Sequence, residues 1–267
     1  MKTKNSFKLI QNKVIISGNI LEVFTYENGY SKGLQSQNKS GRASKTTTDE
    51  TKKENREKVM YRARSRVRRL ANANPQLNKF FTLTFKENIT DLKYANNEYK
   101  KFVLRLNRFC KKQGDGKLEY IAVVEFQKRG AIHYHILCNL PYINSKTLSE
   151  IWGNGFIKIN KIDRVDNVGA YITKYMTKDG ADDRLIENRS FFTSQGLTEP
   201  TEIENCENIS SILDKKEVVR KYETTFENDY LGKVGYTQYV LVNGTISHEA
   251  KRDIFQTELR KTSPNLE

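Results

Sequence analysis

Two of the chain's three histidines, His133 and His135, stand two residues apart in the stretch Tyr120 to Asn139, YIAVVEFQKRGAIHYHILCN. Runs rich in Val, Ile, Phe and Tyr flank Lys128-Arg129-Gly130, and a glycine can take the left-handed position that closes a three-residue hairpin loop. That loop sets a register. Gln127 pairs with Ala131, so Glu125 lies opposite His133, and the period-two alternation of a strand puts Glu125, His133 and His135 on one face. The other face carries Ala122, Val124 and Phe126 from one strand and Ile132, Tyr134, Ile136 and Cys138 from the next, and reads as core. Two imidazoles and a carboxylate converging on one face form a mixed nitrogen and oxygen donor set for a divalent ion, with coordination positions left for a substrate. An H-x-H alone is a weak signal, and the cross-strand glutamate strengthens it.

A second group with chemical potential lies downstream in VGAYITKYMTK, Val168 to Lys178. At about 100° per residue, Val168, Ile172 and Met176 form the core stripe of a helix, while Tyr171, Lys174 and Lys178 project from the other side and Tyr175 lies between. The helix thus offers a phenol together with two ammonium groups.

The elements needed to hold these groups can be read from residue 79 to residue 180. Phe80 to Phe85 is a strand, and Asp91 to Lys112 a helix with Leu92, Ala95, Tyr99, Phe102, Val103, Leu106 and Phe109 at helical spacing. The hairpin follows. Asn144 or Ser145 then caps a short helix that Gly153 stops, Phe156 to Ile162 is a strand, and Asp166 caps the tyrosine-bearing helix running to Lys178 before Gly180. The order β-α-β-β-α-β plus one helix predicts an α+β, ferredoxin-like or RRM-like antiparallel sheet.

Outside this segment the chain divides less sharply. Residues 6 to 26 suggest two short strands around Ser17-Gly18-Asn19, and residues 28 to 48 have the Ser, Gly, Lys, Asn and Thr composition of a flexible linker. Residues 49 to 73 read as a helix in which nine basic residues between Lys52 and Arg69 face only Glu54 and Glu57. This is the pattern of a phosphate-binding arm. Beyond Gly180, Ala181 to Leu213 is mostly polar, Val218 to Glu227 and Tyr230 to Val242 suggest a two-stranded unit, and His248 reads as a surface residue. The expected division is residues 1–48 as N-terminal extension and linker, 49–75 as basic DNA-binding arm, 76–182 as catalytic domain, and 183–267 as a C-terminal extension packing on the core.

Composition narrows the class. The 46 basic and 32 acidic residues give a net charge of +14, which suits a polyanionic partner. Three cysteines without C-x-x-C spacing argue for a reducing compartment and against a cysteine zinc cluster. No apolar leader or long apolar run is present, so cytoplasmic location in a bacterial host and no membrane partner are expected. There is no G-x-x-x-x-G-K-[ST], hence no P-loop ATPase within the chain.

The strand FFTLTF (Phe80 to Phe85), the motif GAIHYHILCNLP with His133 and His135, and YITKYMTK with Tyr171, Lys174 and Tyr175 together resemble the three ordered motifs of rolling-circle replication initiators of the HUH endonuclease superfamily, of the type found in small single-stranded DNA phages and plasmids. Relaxases of the superfamily place the tyrosine before the histidine motif; here it follows. The resemblance covers residues 79 to 180. It implies a ferredoxin-like catalytic fold, and Mg²⁺ or Mn²⁺ held by His133, His135 and an acidic or amide side chain, by position Glu125, with Gln127 as alternative. It implies Tyr171 as nucleophile, forming a 5′-phosphotyrosine link and leaving a 3′-OH primer, with Lys174 assisting and Tyr175 an open candidate for a second nucleophile. Lys178, Arg129, Arg62, Arg66, Arg69, Thr82 and Thr84 are assigned to DNA contact. The partners implied are single-stranded DNA at an origin stem-loop, a host helicase and a host polymerase. Two other readings compete: a single-tyrosine transposase of the same superfamily, and a non-catalytic RRM-like protein binding single-stranded nucleic acid.

Overall fold

A computed structural model of the chain describes residues 8–32, 49–160, 162, 167–176, 183–185, 188–206, 209 and 218–241. The chain forms two compact units, one spanning Ser44–Thr198 and one built from Met1–Ala43 together with Glu199–Glu267. No described helix is long and apolar enough to cross a membrane.

The unit Ser44–Thr198 is organised on strands β3 (Lys79–Phe85), β4 (Tyr120–Phe126), β5 (Ile132–Cys138), β6 (Gly155–Asn160) and β7 (Phe191–Thr193). They form an antiparallel sheet in the order β6-β3-β5-β4-β7. Leaving out the short edge strand β7, this is the expected ferredoxin-like order, with the first and third strands of the motif side by side in the middle. The short β7 lies within the polar stretch after Gly180, where too few alternating residues mark a strand.

Helices α2 (Leu92–Gln113) and α3 (Ser145–Trp152) cover one face. Local chemistry fixes their ends. The Asp91 carboxylate accepts from the Lys93 and Tyr94 amides at 2.8 and 3.2 Å, and Gly114 ends α2 with φ of 80°. Asn144 caps α3, and Gly153, at φ of 71°, ends it. Between helices and sheet lies a core of Phe81, Leu83, Tyr99, Phe102, Tyr134 and Trp152, joined by the expected inward residues of β4 and β5. Full burial of each large apolar side chain contributes roughly 1.5–3 kcal/mol.

Helices α1 (Asp49–Ala73) and α4 (Val168–Thr173) pack on the opposite face. The expectation of a DNA-binding arm over 49–75 therefore needs correcting for its second half. Met60, Val67, Leu70 and Ala71 are buried with Phe80, Ile121, Val123 and Leu137, so this half of α1 is core. Every third or fourth residue there is apolar, a stripe masked in the sequence by the arginines between.

Strands β1 (Lys8–Ser17), β2 (Ile20–Lys32), β8 (Thr201–Glu204), β9 (Val218–Asn228) and β10 (Gly232–Leu241) form the sheet of the other unit, in the order β8-β1-β2-β10-β9. The two ends of the chain were expected to be separate extensions; instead their strands pair, β10 with β2 and β8 with β1. The proposed linker 28–48 is corrected in part, since Asn28 to Lys32 belong to β2. Residues 33–48 and His248 lie outside the described residues.

Candidate metal centre and tyrosine pair

The hairpin has the register its loop dictates. The Gln127 amide donates to the Ala131 carbonyl at 2.9 Å, the Gly130 amide donates to the Gln127 carbonyl at 2.7 Å, and Gly130 has φ of 85°. Glu125 consequently stands opposite His133. One carboxylate oxygen and one nitrogen of each histidine all lie within 4.8 Å of one another, with both imidazoles buried and Glu125 partly exposed.

The two histidines differ in their partners. His135 Nε2 is 2.6 Å from Glu125 Oε2 and its Nδ1 is 3.0 Å from Thr82 Oγ1. An ionised carboxylate only accepts, so Nε2–H donates to Glu125 and the Thr82 hydroxyl donates to Nδ1. That hydroxyl can equally accept from Nδ1–H, which is the tautomer that frees Nε2 for a cation. His133 Nδ1 is 3.4 Å from Gln127 Nε2, while its Nε2 is buried without a hydrogen-bond partner among the described residues. Such an orphaned polar atom costs roughly 1–3 kcal/mol, a cost that a cation at this point removes. The donor set and the orphaned nitrogen therefore fit a divalent ion. The hydrogen bond from His135 holds the Glu125 carboxyl below its ordinary range, helped by the charges of both imidazoles and opposed by partial burial. Burial lowers His133, favouring the neutral, ligating imidazole.

The tyrosines come from α4, a single short helix, and the turn that follows it. Asn167 caps the helix, and the Asn167 side chain accepts from Ala170 N at 2.8 Å and from Asn72 of α1 at 3.1 Å. The Gly169 amide donates to Asn72 Oδ1 at 2.8 Å, and a Cβ on Gly169 would run into the Arg68 carbonyl. Glycine is thus required for α4 to approach the backbone of α1. The expected helix from Asp166 to Lys178 is shorter, because after Thr173 the amides of Lys174, Tyr175 and Met176 bond three residues back instead of four. This tighter turn shifts the side-chain phases. Ile172 and Met176 are buried as expected. Tyr171, expected to project away from the core, instead packs half-buried and edge-on against Phe80 at 5.1 Å.

Tyr175 lies flat on His135 with ring centroids 3.7 Å apart, and its hydroxyl donates to that of Tyr171 at 3.3 Å. Burial, this hydrogen bond and the nearby Glu125 charge all raise the Tyr175 phenol above its ordinary value. Tyr175 therefore keeps its proton and offers it to Tyr171. The Lys174 ammonium stands over the Tyr171 ring at 5.6 Å from its centre.

The structure thus brings Glu125, His133, His135, Tyr171, Lys174 and Tyr175 together. Thr82, assigned from sequence to DNA contact, is buried and bonded to His135, which makes it a support for the imidazole. Thr84 is half-buried beside His133, Arg129 is exposed and donates to Gln127 at 3.2 Å, and Arg62 and Arg66 are exposed on α1 with Arg69 half-buried. Lys178 lies outside the described residues. Sequence reasoning missed Phe80, which carries both tyrosine rings, and Asn72, which holds the start of α4. Phe80 was visible as an outward residue of FFTLTF once β3 was placed beside β5; no local signal marked Asn72.

No curated protein and no solved structure shows a significant match to the chain. The family described as Replication-associated protein, of the ORF2 type, matches residues 78–180, the segment holding β3 to β6, the histidine pair and both tyrosines. The match supports reading the chain as a replication-associated protein with a role in initiation.

Proposed function

We propose that the protein initiates rolling-circle replication by nicking one DNA strand through a 5′-phosphotyrosine intermediate. The observation that carries this reading is the Tyr171–Tyr175 pair resting on the Glu125, His133 and His135 cluster, within the stretch matched to replication-associated proteins. Glu125, His133 and His135 would hold Mg²⁺ or Mn²⁺, which supplies Lewis acidity to the phosphoryl oxygens.

Tyr171 is the nucleophile in this reading. Its oxygen forms the bond to phosphorus as the bond from phosphorus to the 3′ oxygen breaks, and overall the phenolic proton ends on that 3′ oxygen. A free phenol has a pKa near 10, so ionisation at neutral pH needs stabilisation. The Tyr175 hydroxyl, which keeps its own proton, donates to the Tyr171 oxygen, and the Lys174 charge lies over the same ring. Both favour the Tyr171 phenolate. Thr82 fixes the His135 ring in plane, and Phe80 sets the positions of both tyrosines. The phosphodiester energy is retained in the tyrosyl link, so the reverse step rejoins ends, and the freed 3′-OH primes a polymerase. The same chemistry serves a transposase, and mapping the nick to an origin or to an element end separates the two.

Incubation with single-stranded DNA from the region flanking the coding sequence, in Mn²⁺, is expected to give a covalent adduct on a denaturing gel. Loss of the adduct in Tyr171→Phe but not in Tyr175→Phe supports the assignment, and the opposite pattern overturns it. Cleavage that survives a chelator removes the metal from the reading.

A further inference from the structure

We propose that edge strand β6 provides a single-stranded DNA subsite beside the cleavage centre, with Phe156 stacking on a base and Lys158 meeting a phosphate. This rests on the nicking function proposed above and names groups in none of the motifs that suggested it.

The argument starts from register. Glu125 pairs with His133, His133 with Thr84, and Thr84 with Phe156, so these four residues form one row across β4, β5, β3 and β6. Val123, His135, Thr82 and Lys158 form the next row. Residues directly opposite in adjacent strands share a face. Phe156 and Lys158 therefore rise from the same face as the histidines, two strand spacings away, about 10 Å.

That face is open at one end only. Phe80, Ile121, Val123 and Leu137 are 0% exposed beneath α1 and α4. Toward the hairpin the cover ends: the Glu125 side chain is 32% exposed, Thr84 is half-buried, and Phe156 is 67% exposed. A strand of DNA reaching the cluster has to come over this open end. A single exposed aromatic is ordinary on a protein surface. Here it stands in the row of the histidines, with an exposed lysine two residues on and no acidic residue in β6.

The position of Phe156 is also closely fixed. A Cβ on the preceding Gly155 would strike the backbone of Thr84 and Lys86, so only glycine lets β6 begin this close to β3. The Lys86 amide donates to the Asn154 carbonyl at 2.9 Å, Trp152 Nε1 donates to the Thr84 carbonyl at 3.1 Å, and the Arg105 guanidinium holds the Ile151 and Trp152 carbonyls at 2.8 and 2.9 Å. An exposed ring on a rigidly held strand loses little conformational freedom on binding, and stacking suits any base, since every base has a π-face.

The test uses the full chain and oligo(dT), some of it carrying 5-iododeoxyuridine, in metal-free buffer. Photocrosslinking is expected to label the peptide containing Phe156. Phe156→Ala should weaken binding roughly tenfold and Phe156→Trp should retain it. Lys158→Gln should reduce the slope of log affinity against log salt by about 0.7, the value for one phosphate contact on a single strand. Both substituted side chains are exposed, so melting temperatures should match the parent. Wild-type affinity in Phe156→Ala, or crosslinks confined to other peptides, overturns the inference. Adduct formation by the unmodified protein in Mn²⁺ judges the nicking reading separately. An adduct without dependence on Phe156 sinks only the subsite, whereas dependence on Phe156 without any adduct sinks only the nicking.

Discussion

The two faces of the β6-β3-β5-β4-β7 sheet share the same strands and differ in what was placed on them. Beneath α2 and α3 the strands present Phe81, Leu83, Val124, Tyr134 and Ile136, packed without charged groups. On the other face the same strands present Thr82, Glu125, His133 and His135, half covered by α1 and α4. The first face is stabilised by burial alone. The second accepts an orphaned imidazole nitrogen and a raised phenol, costs that make sense where the groups serve a ligand. Substitutions on the two faces should therefore fail in different ways.

The largest contrast is expected from His133→Ala. Adduct formation should fall by roughly a thousandfold or more while thermal stability and oligo(dT) binding stay near wild type. Collapse of the fold instead would mean that the polar face is structural after all. Trp152→Ala, on the apolar face, should do the reverse, costing about 3–5 kcal/mol in a denaturant titration, because it empties a fully buried indole site and removes its bond to Thr84. Thr82→Val keeps shape but deletes the hydroxyl on His135. Mn²⁺ affinity measured by calorimetry should drop about 10- to 100-fold, and an unchanged affinity would reduce Thr82 to packing. Smaller still, the Cys138 thiol, fully buried on the apolar face and pushed up to about 12 by that burial, should resist a thiol reagent at neutral pH until the protein is unfolded.

How much of this was legible depended on sequence distance. The hairpin register came from Gly130 and the alternating residues on either side of it, because turn chemistry and alternation act locally. The caps Asp91, Asn144, Gly114 and Gly153 were readable for the same reason. The support for His135 by Thr82 needed the order of strands 53 residues apart, and the grip of Asn72 on Gly169 spans 97 residues. Neither leaves a local pattern. The phase of Tyr171 was misjudged because uniform helical geometry was assumed to Lys178, whereas hydrogen bonds after Thr173 tighten to three residues. Strands of the terminal sheet were partly visible one by one; their pairing was not, since partners such as Val23 and Thr237 lie at opposite ends of the chain.

That pairing has a consequence for how the protein comes off the ribosome. Strands β1 and β2 are made first, yet their outer neighbours β8 and β10 are made after every strand and helix of the Ser44–Thr198 unit. The β1–β2 hairpin must wait with both long edges unpaired while the intervening unit is synthesised. In the nascent chain the order of completion is thus inside out, with the histidine and tyrosine unit available for folding before the sheet whose strands bracket it in sequence.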